Sequence, residues 1–265
     1  MEPHHFNDLR GLSDVTLWTG GWDSTYRVLQ RALIDKVTTR PCYVVYRGRG
    51  SAGKELETMN RLLNTLDSSH PEARARVEPL RLIALESIPD FPDIDAAWRH
   101  VRLTHNIGSQ YGWLARLATA GGWTDVELMI YGTGRLGAVL GGHVVAVERR
   151  DGRTTYALGP GAPEPQRLLF ERFTFPLWGV TKIEAVRQAD REGLTEVMAD
   201  QYWFCFNPKN GKPCGTCRPC RFAVADGLGD RVPLSGHLRY GTREALKAIG
   251  VGALIKRLAR LRSIA

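Results

Sequence analysis

Four cysteines stand close together near the C-terminal end of the sequence, at Cys205, Cys214, Cys217 and Cys220. They lie within sixteen residues and are separated by eight, two and two positions. The first fourteen residues lack the apolar core of a signal peptide, so we expect a cytoplasmic protein in which thiols stay reduced. Clustered thiols in that setting indicate a metal rather than disulfides. Four thiolates complete the tetrahedral shell of Zn²⁺ and leave no place for water, which predicts a structural zinc; an iron–sulfur cluster is the alternative with the same ligands.

A glycine-rich turn early in the chain has the composition of a phosphate-binding loop. It connects a predicted strand to a predicted helix through Thr19-Gly20-Gly21-Trp22-Asp23-Ser24-Thr25. The two glycines let backbone amides approach an anion closely, and the amides and dipole at the start of the helix favour a phosphate. A tight turn in which Asp23 or Ser24 caps the helix is the alternative interpretation.

Two further glycine-rich segments compete for the same role. Residues 48–54 follow a Walker-like pattern, but Glu55 occupies the position at which a serine or threonine must bind Mg²⁺, so we reject a Walker site. Residues 132–137 form a GxGxxG sequence after a predicted strand. That pattern should open a helix, and residues 138–142 predict a poor helix start. We therefore interpret the segment as an active-site loop rather than a dinucleotide-binding fingerprint.

The first loop resembles the Ser-Gly-Gly-x-Asp-Ser signature of the PP-loop ATP pyrophosphatases, with Thr19 in the place of the usual serine. The cysteine motif is similar to the zinc motif of the 7-cyano-7-deazaguanine (preQ0) synthase family; here it is Pro213-Cys214-Gly215-Thr216-Cys217-Arg218-Pro219-Cys220, preceded by Cys205. Three shorter elements also resemble that family, the last of them weakly: Phe175-Pro176-Leu177-Trp178, Thr181-Lys182-Ile183-Glu184-Ala185 and Thr104-His105-Asn106. Their order and spacing agree with the family over residues 15–228.

The resemblance implies an ATP-dependent carbon–nitrogen ligase. A small carboxylate substrate would attack the α-phosphate of ATP in the presence of Mg²⁺, giving an acyl-adenylate and pyrophosphate, and ammonia or an amine would then form an amide. The synthase family proceeds to a nitrile. The resemblance assigns ATP binding to Thr19, Gly20, Gly21, Asp23, Ser24 and Thr25, and catalytic roles to Asp23, Ser24 and Lys182. Lys182 would point from the start of its helix towards the phosphates; an exposed first-turn lysine is the alternative.

The part of the sequence expected to bind the substrate departs from the synthase pattern. In that family the loop after the fourth strand carries acidic and polar residues, whereas here the first acidic residues after it are Glu148 and Asp151. His105 replaces the arginine of the family's Gly-Arg-Asn element. The edge of a purine needs polar partners, so we expect the activation chemistry to be retained on a substrate that has diverged from 7-carboxy-7-deazaguanine.

Alternating strand and helix patterns must position these residues. Apolar and β-branched runs predict strands at 15–19, 42–46, 77–83, 126–131 and 173–176, and helical patterns cover 24–33, 55–66 and 96–118. Thr181 and Glu184 have the spacing of a capping box that begins another helix. The alternation predicts a doubly wound parallel sheet; by the resemblance this is the PP-loop, adenine nucleotide alpha hydrolase-like fold. The glycine- and proline-rich residues 132–165 predict an excursion over the carboxyl edge of the sheet, where such folds bind ligands.

We expect a nucleotide-binding α/β domain at 1–200 and, packed on it, a four-cysteine zinc loop and helical tail at 201–265. The net charge of +8 favours an anionic partner such as a nucleotide, a phosphorylated substrate or a nucleic acid. Two other functions stay open: a PP-loop enzyme that adenylates tRNA or a protein end, and a zinc-bearing module that binds nucleic acid or protein without catalysis. No apolar run is long enough to span a membrane. Apolar residues at 251–261 predict a helix that packs on the core or on a second subunit of a homodimer.

Overall fold

The computed structural model describes residues 10–46, 48–149, 152–199, 201–225 and 229–248. The chain divides into two compact units. The larger unit consists of Met1–Arg47 with Glu55–Tyr202, and the smaller unit of Gly48–Lys54 with Trp203–Ala265. The smaller unit is therefore built from two separate stretches of the chain. The predicted C-terminal helix at residues 251–261 lies outside the described residues.

A seven-stranded sheet forms the centre of the larger unit. Its strands are β1 (Val15–Leu17), β2 (Arg40–Val45), β3 (Arg81–Ala84), β4 (Val126–Glu127), β5 (Val144–Glu148), β6 (Thr154–Leu158) and β7 (Phe173–Thr174). They lie in the order β3-β2-β1-β4-β7-β6-β5. The first five strands in this order (β3, β2, β1, β4 and β7) run parallel to one another. Strand β6 pairs antiparallel with both β7 and β5. The prediction of an α/β fold is confirmed, but the sheet, predicted to be parallel, is only mostly parallel.

Helices occupy most of the connections between the strands. They are α1 (Trp22–Leu29), which continues as a π-helix (Gln30–Asp35), α2 (Ala52–Ser69), α3 (Pro71–Arg74), α4 (Pro92–His105), α5 (Gln110–Gly121), α6 (Arg135–Leu140), α7 (Glu164–Phe170), α8 (Lys182–Arg191) and α9 (Leu194–Met198). The smaller unit contains α10 (Arg218–Ala225) and α11 (Leu234–Ala248). Within the described ranges, none of the helices combines the length and the apolar character needed to cross a membrane.

Helices cover both faces of the sheet. Successive side chains of a strand point to opposite faces, so neighbouring strand residues belong to different buried clusters. Cys42 and Val44 on β2 belong to one buried cluster, together with apolar side chains of α4, α5 and α7. Tyr43, between them, belongs to a second cluster with side chains of α1, α2, α8 and α9. Ile83 and Leu82 on β3 divide in the same way. Each parallel strand is therefore buried on both sides, as in a doubly wound sheet.

The prediction of one long helix over residues 96–118 is wrong. The chain forms two helices there, α4 and α5, and Asn106 ends the first of them. Asn106 has a left-handed conformation with φ of 48°. A residue in this conformation just after the last helical turn stops an α-helix, and asparagine adopts it more readily than most residues. The stop signal was therefore present in the sequence.

Residues 132–165, predicted as an excursion over the carboxyl edge, contribute to the sheet itself. They contain α6 and the β5–β6 hairpin, which extends the sheet at its edge beyond β7. The β-branched residues of β5 (Val144, Val145 and Val147) and of β6 (Thr154 and Thr155) favour strands despite the surrounding glycines. The expectation of a poor helix start after the GxGxxG sequence is likewise wrong, since α6 begins at Arg135 with Gly134 as its N-cap.

A buried ionic cluster joins α1 to the centre of the sheet. Glu127 on β4 is fully buried, and its carboxylate accepts two hydrogen bonds from Arg27, at 2.7 and 3.0 Å. Arg31, one turn further along the chain, and Arg149 donate to the same carboxylate at 2.9 and 3.2 Å. Burial alone would raise the pKa of Glu127, but the charges and hydrogen bonds of the three arginines outweigh it and lower the pKa to about 2. The carboxylate is therefore held in its charged form.

Candidate functional site

The loop between β1 and α1 is a tight turn that requires glycine at one position. Gly20 has a left-handed conformation with φ of 66°. A Cβ atom at this position would lie 3.0 Å from the carbonyl oxygen of Glu55 in α2. Gly21 is the N-cap of α1, with extended backbone angles. The backbone of the loop thus packs against α2 at a distance that no other residue type would allow without strain.

Hydrogen bonds within the loop fix its shape. The hydroxyl of Ser24 accepts from the backbone N–H of Thr19 at 3.1 Å and donates to the carbonyl of Gly21 at 3.2 Å. The hydroxyls of Thr19 and Ser24 lie 3.2 Å apart. The hydroxyl of Thr25 accepts from the indole N–H of Trp18 at 3.0 Å. These contacts order the loop before any ligand arrives.

The first turn of α1 has no side-chain cap. Neither Asp23 nor Ser24 makes the capping bond that the alternative interpretation of this turn requires. The first amides of an α-helix have no acceptor within the helix, so they need a cap, water or a ligand. The uncapped amides and the helix dipole make this end of α1 suited to an anion.

Asp23 and Lys182, which the sequence analysis assigned to one site, are in contact. The ammonium nitrogen of Lys182 lies 2.5 Å from Oδ1 of Asp23. The hydroxyl of Tyr131 donates to the same oxygen, also at 2.5 Å. The ammonium also lies 3.4 Å from the centre of the Trp22 ring, which is a cation–π contact. Lys182 is therefore not simply an exposed lysine on the first turn of α8, although 43 % of its side chain remains accessible.

These side chains come from three neighbouring strands of the parallel sheet. Asp23 follows β1, Tyr131 follows β4 and Lys182 follows β7, and these strands are adjacent. The carboxyl ends of parallel strands meet at one edge, where open α/β sheets bind their ligands. The capping box of Thr181 and Glu184, predicted from their spacing, is present and fixes the start of α8. The topology of the sheet thus explains why these residues meet.

Desolvation perturbs both groups that face Asp23. Burial lowers the pKa of Lys182, and the charge of Asp23 opposes this effect. Burial raises the pKa of Tyr131, and the charge of Asp23 raises it further. Tyr131 and Lys182 therefore share one carboxylate, and burial opposes the charged form of each. Tyr131 and Trp22 were not predicted as site residues, although Tyr131 ends the predicted fourth strand and Trp22 stands at the variable position of the loop signature.

The glycines of residues 132–137 serve close packing. Gly132 lies against Trp178, whose carbonyl oxygen would be 2.8 Å from a Cβ atom at that position. A Cβ atom on Gly137 would lie 1.7 Å from the carbonyl oxygen of Gly132. In the Walker-like segment, Glu55 is buried, and its carboxylate accepts a hydrogen bond from Tyr43 at 2.6 Å. These contacts give the glycines of 132–137 and Glu55 structural explanations.

A cavity of about 360 Å³ lies at the amino ends of the strands. Its lining includes Asp14 before β1, Thr38 before β2 and Asp125 before β4. Charges of both signs face it, and Arg31 and Arg149 in its wall already contact Asp14. Neither the glycine loop nor Lys182 is among its lining residues, so this cavity is separate from the candidate site at the carboxyl edge.

The four clustered cysteines of the smaller unit are positioned to bind a metal ion. Their sulfur atoms all lie within 4.8 Å of one another. The sulfurs of Cys214 and Cys220 are 4.0 Å apart, and those of Cys205 and Cys217 are 3.9 Å apart. These distances are too long for disulfides, whose sulfurs lie about 2 Å apart. They match the roughly 3.8 Å between sulfurs that tetrahedral geometry gives for a Zn–S bond of about 2.3 Å.

Backbone N–H groups support negative charge on these sulfurs. The sulfur of Cys214 accepts from the N–H of Thr216 at 3.4 Å and from that of Cys217 at 3.2 Å, and the sulfur of Cys205 accepts from the N–H of Cys214 at 3.2 Å. Such N–H···S contacts stabilise thiolates, the form in which cysteine binds metals.

Cys42 and Asn106 have structural environments. Cys42 is buried in β2, and burial raises its pKa to about 12, so it is a neutral core thiol. Asn106 ends α4 in the left-handed conformation.

No protein-family model matches this chain, and no curated protein matches it.

Proposed function

We propose that this chain is an ATP pyrophosphatase of the PP-loop class, resembling 7-cyano-7-deazaguanine synthase, that adenylates a small carboxylate substrate. The observation that carries the proposal is the meeting of the glycine loop, Asp23 and Lys182 at the carboxyl edge of the parallel sheet. An ordered loop at an uncapped helix start offers amides to a phosphate, and Lys182 adds a positive charge beside it.

The reaction is a substitution at the α-phosphorus of ATP. A carboxylate oxygen of the substrate bonds to this phosphorus, and the bond to the bridging oxygen of the β-phosphate breaks. The electron pair leaves with pyrophosphate. Amides at the start of α1 and the ammonium of Lys182 would stabilise the charge that develops on this leaving group. Ammonia or an amine then attacks the acyl carbon, AMP departs, and the nitrogen loses a proton to give an amide.

Binding of ATP would give the ammonium of Lys182 a phosphate in place of the carboxylate of Asp23. Asp23 and the ring of Trp22 hold its ammonium in place. A phosphate at the loop would compete for that charge, and Asp23 would then be available to the Mg²⁺ that accompanies ATP. The metal would offset the charge of the phosphates. Ser24 and Thr19 keep the loop in shape for either arrangement.

We propose that the ion bound by Cys205, Cys214, Cys217 and Cys220 is Zn²⁺ with a structural role. Four thiolates leave no position for water or substrate. Gly215, between Cys214 and Cys217, has a left-handed conformation with φ of 78°, which allows the tight turn between two ligands. Elemental analysis of the purified protein distinguishes zinc from the iron and sulfide of an iron–sulfur cluster, and one zinc per chain is the expected result.

The proposed reaction is tested by its products. Purified protein is incubated with ATP, Mg²⁺, ammonium and a series of carboxylates that includes 7-carboxy-7-deazaguanine, and nucleotides are separated by chromatography. We expect AMP and pyrophosphate in equal amounts, dependent on the carboxylate. Formation of ADP and phosphate alone, or of no nucleotide product with any carboxylate, contradicts the proposal.

Variants connect the products to the loop. Asp23→Ala and Lys182→Met should each lower AMP formation at least about 100-fold, the scale of losing one charge-stabilising group. Asp67→Ala is the matched control, because Asp67 is a largely exposed aspartate on α2. It should keep full activity. Circular dichroism of every variant shows whether the fold is retained, and wild-type turnover by Asp23→Ala would refute the assignment of the site.

A further inference from the structure

The positive charge of the protein is concentrated in the smaller unit. Of the 36 lysines and arginines, 14 belong to this unit, but only 3 of the 28 acidic residues do. The smaller unit therefore has a net charge of +11, and the larger unit one of −3. Among the described residues of the smaller unit, Asp230 and Glu244 are the only carboxylates. The overall charge of +8 thus reflects one strongly basic part of the molecule.

A tight turn between two of the cysteines presents lysines side by side. Lys209 and Lys212 exchange both backbone hydrogen bonds, at 2.9 and 3.0 Å, and both side chains are exposed. Asn210 and Gly211 between them have φ of 50° and 71°, as in a two-residue type I′ turn. Residues paired in this way project to the same face, and two like charges there repel each other. An anion on that face would relieve the repulsion.

Residues 48–54 bring one more cation to this turn and another to the ring of Phe206. A Cβ atom on Gly211 would lie 3.5 Å from Cε of Lys54, so the stem of Lys54 passes directly beside the turn. The guanidinium of Arg49 lies over the ring of Phe206, 5.9 Å from its centre. Phe206 itself is 47 % exposed. Positive charge therefore lies on and beside the turn, and an accessible aromatic ring lies three residues before Lys209 in the same loop.

The combination of cations and an exposed ring distinguishes among anionic partners. Phosphates, acidic peptides and anionic lipids would all be attracted by the lysines. An exposed phenylalanine beside an arginine is of use to a partner with flat, unpaired bases, because bases stack on aromatic rings. A duplex conceals those faces within its own stack. The surface therefore fits a single strand, whose phosphates and bases alternate.

We propose that Arg49, Lys54, Phe206, Lys209 and Lys212 form a binding surface for single-stranded nucleic acid. The cations contact successive phosphates, and Phe206 stacks on a base. Cys205 and Cys214 flank the loop that carries the ring and the turn, so a metal at the four cysteines fixes the loop on both sides. This inference is independent of the proposed ATP chemistry, because oligonucleotide binding is measured without ATP.

Fluorescence anisotropy of the metal-loaded full chain with labelled oligonucleotides tests the proposal. The probes are single strands of RNA and of DNA of about twelve nucleotides, a length in the range of single-strand sites, and a duplex of the same length. We expect at least one of the two single strands, RNA or DNA, to bind more tightly than the duplex. Four phosphate contacts predict a slope of about −3 for log K against log salt concentration, since each contact contributes about −0.7.

Variants separate charge from stacking. Lys209→Gln combined with Lys212→Gln should reduce the magnitude of the salt slope by about 1.4. Phe206→Leu should weaken binding about 5- to 150-fold, the range for loss of one stacked base, with the slope unchanged. Phe206→Tyr keeps the ring and should bind as the wild type does. Zinc content is measured for each variant, so that an altered metal site is recognised.

The matched control removes two exposed charges from the larger unit. Arg99→Gln combined with Arg187→Gln changes the net charge as much as the lysine pair does, and it should leave binding unchanged. Equal loss with this control would show that total charge, not the turn, is responsible. Equal affinity for duplex and single strand, or tighter binding to anionic vesicles or polyglutamate than to either single strand, would overturn the proposal.

Discussion

Replacement of Glu127 by glutamine tests the buried ionic cluster, and its effect can be calculated from the structure. The carboxylate has its pKa lowered from 4.5 to about 2 by its arginine partners. A shift of that size corresponds to about 3 kcal/mol of folding free energy at neutral pH, at about 1.4 kcal/mol per pH unit. Glu127→Gln keeps the shape but leaves Arg27 and Arg31 buried without this charge, so we expect a loss of about 3–5 kcal/mol, as for other broken buried pairs.

Urea unfolding followed by tryptophan fluorescence measures this loss in the larger unit. Trp18 and Trp123 are both completely buried there, so their emission reports on its core. The sign of the pH dependence is fixed, because a lowered pKa stabilises the folded state only while the carboxylate is charged. The contribution is complete above about pH 4.5 and disappears as the pH falls through about 2. The difference between wild type and Glu127→Gln should therefore shrink over that interval.

Glu72→Gln is the matched control for this prediction. Glu72 pairs with Arg76 at 3.9 Å on the surface, and its side chain is 92 % exposed. Exposed pairs contribute little, so this change should alter stability by less than about 0.5 kcal/mol at any pH. Wild-type stability of Glu127→Gln at pH 7, or a difference that does not respond to acid, would refute the assignment of the charge network.

Three other perturbations address separate parts of the structure. Gly20→Ala places a side chain in a left-handed turn against the Glu55 carbonyl, so urea unfolding should show a loss of about 1–3 kcal/mol; an unchanged midpoint would contradict the tight turn. Thr181→Ala removes the hydroxyl that accepts from the Glu184 N–H and should cost about 1 kcal/mol by thermal melting, whereas Thr181→Ser should stay close to wild type. Cys217→Ser removes one of four thiolates and should abolish bound metal in elemental analysis; a full equivalent of metal in this variant would exclude the four-cysteine site.

Local signals in the sequence predicted those elements whose causes are local. The spacing of Thr181 and Glu184 predicted the start of α8, since a capping box needs only residues three apart. The β-branched run near Val15 and the apolar run near Val126 predicted the inner strands β1 and β4, although β4 ends earlier than expected. The spacing of the cysteines predicted their cluster, because Cys214 and Cys217, and likewise Cys217 and Cys220, are separated by only two residues, which one tight turn can span.

Contacts between distant parts of the chain were not predictable from those signals. Glu127 lies in an apolar strand, which indicates a buried charge, but nothing nearby in the sequence identifies Arg27, 100 residues away, as its partner. Tyr131 and Asp23 are 108 residues apart and meet only because β1 and β4 are neighbours. The order of strands is a property of the whole chain. Lys182 was assigned to the same site as Asp23 through the resemblance rather than through spacing, and their direct contact was not predicted.

The division of the smaller unit between two stretches of chain has a consequence for its synthesis. Residues 48–54 leave the ribosome long before Trp203, the first residue of the second stretch. At typical elongation rates of about 5–20 residues per second, the roughly 150 residues between them take about 7–30 s to make. During that interval the loop that Arg49 and Lys54 contact has not yet been synthesised. A fragment that begins at Trp203 would be translated without them, so this unit cannot be completed by its C-terminal stretch alone.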